Sequence, residues 1–252
     1  MPRDIATVCL DATAADDVTT ALTAALAPFE HDAQPVDDRW QGEWDWWHVY
    51  GGDGEYGLAV RPGHENDPRL IRSPTWLDGT PRPAQPADRC DGGPRGLLDL
   101  DTERTAAGVA AAREWDAWTA FAARFPPAHS LRTIAARGPS ATNPPYQAFM
   151  AQPVMQALAA WRQSDPDAPT WTKQQDPLQH FAGSREQHAH RAAMRVQTTN
   201  VLLTVDGRWI DCFDYTPTPQ QPVAANAYFD FADRYLRELP QDAVIVRVRF
   251  HS

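Results

Sequence analysis

The stretch that most constrains the fold runs from Asn200 to His251, where three patterns of different period follow one another. Asn200–Val205 and Arg208–Phe213 are β-prone runs around Asp206-Gly207, a dipeptide suited to a tight hairpin turn. Tyr228, Phe231, Ala232, Tyr235, Leu236 and Leu239 then recur at helical spacing up to Pro240. From Ala243 to His251 the chain alternates strictly: Val244, Val246, Val248 and Phe250 face one way, Ile245, Arg247, Arg249 and His251 the other.

The N-terminal part supplies a matching unit. Ile5–Leu10 reads as a strand, and Thr13 with Asp16 three residues on resembles a capping box. Val18, Leu22, Ala25, Leu26 and Phe29 follow on one helical face, with Pro28 at the end. Glu43–Tyr50 is aromatic and β-prone, stopped by Gly51-Gly52. With the C-terminal block this predicts an α+β fold, a ferredoxin-like split βαβ sheet built from residues 1–60 and 196–252. One face of such a sheet packs on two helices and the other is open. Its last strand lies beside its first, which brings Thr7, Cys9 and Asp11 next to the Arg247–His251 row.

Residues 61–195 form an insertion that packs as one unit with the sheet. Seven prolines and no periodicity make 61–96 a long irregular loop, and loops of that length carry function or move. A helix follows over about 101–125, stopped by Pro126-Pro127, and shorter helices over 146–163 and 184–195.

Composition narrows the function classes. The 252 residues, 42% hydrophobic, suffice for one large domain or two small ones. A formal charge of −10 argues against a general phosphate-backbone binder. No run approaches the ~18 apolar residues of a membrane span, and Met1-Pro2-Arg3-Asp4-Ile5 does not open a secretory signal. Three scattered cysteines, Cys9, Cys90 and Cys212, fit free thiols in a reducing cytoplasm. A single lysine, Lys173, among 23 basic residues, with 23 prolines, suggests a high-GC bacterial or phage gene.

Several constellations carry candidate chemistry. Trp44-Asp45-Trp46-Trp47-His48 places Trp44, Trp46, His48 and Tyr50 on one strand face, either an aromatic wall with a histidine acid or base, or a core strand. Asp45 between tryptophans needs hydrogen-bond partners if it is buried. Arg247, Arg249 and His251 form a row that is either solvated or arranged for an anion, and Arg208-Trp209 is a weaker candidate of the same kind.

Other motifs fail on chemistry. Gly52–Gly57 fits G-x-G-x-x-G, but Leu-Ala-Val-Arg-Pro-Gly behind it cannot open a helix, so no dinucleotide cofactor is expected. His180, Glu186, His188 and His190 read as a solvated helix face, since His188 and His190 diverge by about 200° on a helix, and no metal is expected. Cys90 reads as a loop thiol, because no base is placed beside it.

Trp44-Asp45-Trp46-Trp47-x-x-x-Gly51-Gly52 resembles a signature of uncharacterised proteins from actinobacteria and their phages. The likeness extends to Leu26–Phe29, Asp88-Arg89-Cys90, the Trp115 helix, Gln152-Pro153-Val154, Leu202–Trp209 and Tyr235–Ala243. Asp53-Gly54 stands where that family tends to have Arg-Trp. The resemblance implies membership and brings no activity with it.

Three readings follow. The first is a binding or interaction protein, an accessory factor of mobile elements, using the open sheet face for a protein partner or a small anionic ligand, as a monomer or homodimer. The second is an enzyme on a small or nucleotide-like substrate, with His48 or His251 as acid or base and Arg247 or Arg249 clamping an anion. The third, which the net charge disfavours, stacks single-stranded nucleic acid on Trp44 or Trp46.

Overall fold

A computed structural model of the protein describes residues 3–33, 42–50, 57–76, 78–84, 86–137, 144–212 and 224–251. The Thr216–Pro222 loop, and all of the Gly52–Gly57 pattern except Gly57, lie outside these residues. The protein is mixed α+β and divides into two compact units. One, the sheet unit, comprises 1–105 and 193–252, and the other, the helical unit, 106–192. Residues 61–105, grouped with the insertion on sequence, belong to the sheet unit.

The first part of the chain supplies β1 (Arg3–Leu10), α1 (Val18–Leu26), β2 (Trp46–Val49), β3 (Leu58–Ala59), β4 (Arg89–Cys90) and β5 (Gly92–Pro94). Helices follow: α2 (Thr102–Ala122), α3 (Leu131–Ala135), α4 (Pro145–Met150), α5 (Pro153–Ser164), α6 (Pro177–His180) and α7 (Arg185–Val196). The chain closes with β6 (Val201–Leu203), β7 (Trp209–Asp211), α8 (Ala224–Glu238) and β8 (Val244–His251).

The sheet has the order β2-β8-β1-β6-β7, with β5 also on β8. β8 runs antiparallel to β1 along its whole length, from Arg3–His251 to Leu10–Val244. Thr7 lies opposite Arg247 as expected, but because the strands run antiparallel Arg249 and His251 face Ile5 and Arg3, Cys9 faces Ile245, and Asp11 lies beyond the ladder. β6 is parallel to β1, and β7 returns antiparallel to β6. The first strand of the hairpin, rather than the second, therefore neighbours β1, unlike a split βαβ sheet.

The side chains of these strands sort by parity. Ala6, Val8, Leu10, Val201, Leu203, Val244, Val246, Val248 and Phe250 pack with Leu22 and Leu26 of α1. Cys9, Leu202 and Ile245, from the alternate positions, pack with Tyr228, Ala232 and Leu236 of α8 and with Leu58 and Leu98. The two helices thus cover opposite faces, and the open face expected from sequence does not exist over β1 and β6. The cause lies in the 58–100 segment, whose leucines close over the face beside α8.

Local signals explain the boundaries. Asp17, not Thr13, caps α1: its carboxylate accepts the Thr20 N–H at 3.0 Å. Asp11 likewise caps a 3₁₀ turn at Ala12–Ala15. The hairpin loop holds three residues rather than two, with Gly207 at φ +76° and the Thr204 Oγ1 accepting the Arg208 N–H at 3.0 Å. A glycine takes that left-handed conformation without strain.

In the helical unit, Pro153 at the first turn of α5 splits the expected 146–163 helix into α4 and α5. Trp118, Phe121, Phe149, Met155, Leu158, Trp171 and Phe181 form its core. Asp176 joins α3 to α6, accepting from Leu131 N at 2.8 Å and Gln179 N at 3.0 Å. His188 is no solvated helix residue, being 5% exposed and 4.9 Å from the Phe181 ring. Burial first, then His180 and Arg191, pulls its pKa down to about 4. Among the described residues no helix is long and apolar enough to cross a membrane.

Candidate functional site

The outer edge of β8 is shared. β2 pairs with its C-terminal half, His48 opposite Arg249 and Trp46 opposite His251, while β5 pairs with its N-terminal half, Gly92 opposite Val246. Arg247 sits at the junction: its N–H donates to Asp91 O at 2.8 Å, and its carbonyl accepts the Tyr50 N–H at 3.0 Å. Strand alternation puts Arg247, Arg249 and His251 on the side opposite Val246, Val248 and Phe250.

Residues 71–76 and 78–82 cover this end of the sheet. Ile71 bridges Gly92, and Thr75 bridges Pro81. Beneath them lies a buried ion pair: Arg82 Nη1 stands 3.1 Å from both oxygens of Asp91, the side chains 4% and 1% exposed. Asp91 also accepts the Ser73 N–H at 2.5 Å. The Ser73 Oγ is 3.1 Å from His48 Nε2, and both reach the Thr75 carbonyl, at 3.1 Å and 3.3 Å. Two guanidiniums lie over the Tyr50 ring, Arg82 at 5.2 Å and Arg249 at 5.4 Å from its centre.

The arginines of this face differ in their compensation. Arg82 has the Asp91 carboxylate. Arg247, 3% exposed, donates to Thr7 Oγ1 at 2.5 Å and to Gln197 O at 2.6 Å, and has no carboxylate partner among the described residues. Its burial pulls the guanidinium pKa down to about 10. Thr199 donates to Val201 O, so it accepts from Thr7, which orients the chain Arg247–Thr7–Thr199. Tyr228 closes that network by donating to Thr199 O at 2.8 Å. Arg249 makes no hydrogen bond or ion pair with any described residue; its Nε is buried and without an acceptor.

The structure thus separates the residues that the sequence grouped. His48 and Arg249 adjoin at the half-covered rim. His251 stacks on Trp46, ring centres 5.9 Å apart and 4° from parallel, and its Nδ1 lies 2.7 Å from the exposed Asp45 carboxylate. Trp44 does not share their face. The chain bends at Asp45, and Trp44 enters the α1 core, 7% exposed, its Nε1 donating to Leu26 O at 3.1 Å. With Asp45 exposed, Trp44 is ordinary core, and Trp47 is half-buried against the same cluster.

Arg247 is sealed beneath the α8 side of the sheet rather than offered to a ligand. Arg208 and Trp209 lie at the other end of the strand order. There Arg208 pairs with Asp206 in solvent, and Trp209 packs on Phe29 and Phe250. Cys90 is no loop thiol: it is fully buried on β4, its Sγ facing Leu58 O at 3.7 Å, and burial pushes its pKa up to about 12.

Sequence reasoning missed Ser73, Arg82 and Asp91, which complete the rim. Their signal was diffuse, polar residues in a Pro-rich segment whose fold depends on pairing with β8. Asp91, beside the Gly92-Gly93 pair, was the nearest to a flag. No family model matches this chain, and the curated proteins and solved structures yield no match either.

Proposed function

We propose that the protein binds a small oxyanionic ligand, a carboxylate or phosphate group on a compact body, at the β2–β8 rim. Arg249 carries the reading. A half-buried guanidinium with a buried, unsatisfied Nε and no acid beside it among the described residues is missing an acceptor, and leaving such a group unpaired is costly. An oxyanion supplies the acceptor and the countercharge together. Arg82 is balanced by Asp91, whereas Arg247 and Arg249 have no carboxylate partner among the described residues. His48 adds a further donor or acceptor, and Tyr50 an aromatic floor under Arg249.

This role replaces docking on an open sheet face, because α8 and the 58–100 segment occupy that face. It also leaves base stacking on Trp44 without a platform. The test is thermal denaturation at constant ionic strength. Inorganic phosphate raises the midpoint of the wild type relative to chloride, and Arg249→Gln abolishes the difference. Equal midpoints in phosphate and chloride for the wild type would refute the reading.

A further inference from the structure

We infer that Ser73 is a nucleophile activated by His48, acting on a carboxylic ester whose charged end is held by Arg249; the inference rests on the oxyanion reading of the rim. Ser73 Oγ and His48 Nε2 are 3.1 Å apart, the reach required between a hydroxyl nucleophile and its base. The serine backbone is held by its N–H bond to Asp91, itself locked by Arg82. The histidine is held on β2, directly across from Arg249. Cross-strand neighbours in an antiparallel pair have Cβ atoms about 5 Å apart, so one compact substrate spans the base and the anion clamp.

The Thr75 carbonyl is the third group. At rest it accepts the Ser73 hydroxyl proton at 3.1 Å, so the hydroxyl turns to His48 Nε2 before transfer. The same carbonyl lies 3.3 Å from Nε2 and accepts from the N–H formed there on proton uptake. Ser73 Oγ bonds to the acyl carbon as its proton passes to His48 Nε2. The C–O bond to the alcohol then breaks, and the departing alkoxide takes that proton. Water, deprotonated by His48, attacks the acyl-serine, releases the acid and restores the Ser73 hydroxyl. His48 appears as a sequence candidate; the structure adds its partner, 25 residues further along the chain.

The experiment exposes the whole protein to p-nitrophenyl hemisuccinate, an anionic activated ester, and to p-nitrophenyl acetate, a neutral one. Nitrophenolate release is followed and the acylated residue located by peptide mass spectrometry. The expected result is acylation at Ser73, lost in Ser73→Ala and slowed about 100-fold in His48→Gln. Ser73→Cys, which keeps the backbone bond to Asp91, directs the acyl group to sulfur as a hydroxylamine-labile thioester, so a folding failure of Ser73→Ala does not decide the matter.

Absence of any adduct at residue 73 in both the wild type and Ser73→Cys overturns the inference, as does an unchanged rate in His48→Gln. The two readings fail separately. If phosphate still stabilises through Arg249 but Ser73 is not acylated, the nucleophile is wrong and the anion site stands. If Ser73 is acylated equally by both esters whether or not Arg249 is present, the anion site is wrong and the nucleophile stands.

Discussion

Replacing Asp91 with alanine removes the carboxylate on which the 71–82 segment is built. Arg82, its side chain 4% exposed, then keeps its charge without the two 3.1 Å contacts that offset burial. Breaking a buried pair from one side costs about 3–5 kcal/mol, because an uncompensated charge stays behind. The Ser73 N–H also loses its acceptor at 2.5 Å, which adds about 1 kcal/mol or more. Asp91→Ala is therefore expected to cost at least about 4 kcal/mol, a large part of a domain's stability. Arg82→Met alone leaves a buried carboxylate and is similarly harmful. The double variant Arg82→Met/Asp91→Leu buries no charge and loses well under the sum, giving a coupling of about 2 kcal/mol or more. Urea denaturation followed by far-ultraviolet circular dichroism measures all three. A loss below about 1 kcal/mol for Asp91→Ala, with coupling near zero, would refute the claim that this pair organises the rim.

Three further outcomes follow from the geometry. Trp44→Phe keeps the ring in the α1 core but loses the bond to Leu26 O, for about 1 kcal/mol in urea denaturation, with the phosphate effect unchanged. His188 is held neutral in the fold, so the unfolded chain binds the extra proton below its ordinary pKa of 6.5. The contribution is complete above 6.5 and is lost as pH falls through about 4, a slope that His188→Phe removes from the pH profile of tryptophan-detected stability. Cys9 and Cys90, buried with pKa pushed up to about 12, resist a disulfide reagent at pH 8 until denaturant is added, while the half-buried Cys212, at about 11, reacts first.

The legible parts of the fold were those with a local period. The alternation over β8, the stripe of α8 and the β1–β8 adjacency could all be read from the chain, but the register could not: of Thr7, Cys9 and Asp11 only Thr7 lies beside the arginine row. The placement of α8 on the face opposite α1 could not, because an amphipathic helix states which of its own sides is buried and not which side of the sheet receives it. The Trp44–His48 run misled through its evenness: a bend at one residue, Asp45, moves Trp44 to the other face, and no propensity marks it. Within the site, β8 gave Arg249 and β2 gave His48 directly. Ser73, Arg82 and Asp91 come from a segment without period, held by long-range bridges to Gly92 and by one buried ion pair. Such contacts leave no spacing to read.

The most direct test of the central claim is a phosphate titration followed on the arginine Nε–H signals of the ¹⁵N-labelled protein by nuclear magnetic resonance. Arg249 Nε–H, buried and without an acceptor among the described residues, is predicted to shift downfield and saturate, while the Nε–H of Arg82, whose guanidinium is already held by Asp91 through Nη1, moves little. Arg249→Gln identifies the resonance by its loss. An Arg249 signal that stays still, or that drifts without saturation along with the exposed Arg69 and Arg208 signals as ionic strength rises, would contradict an oxyanion site at the β2–β8 rim.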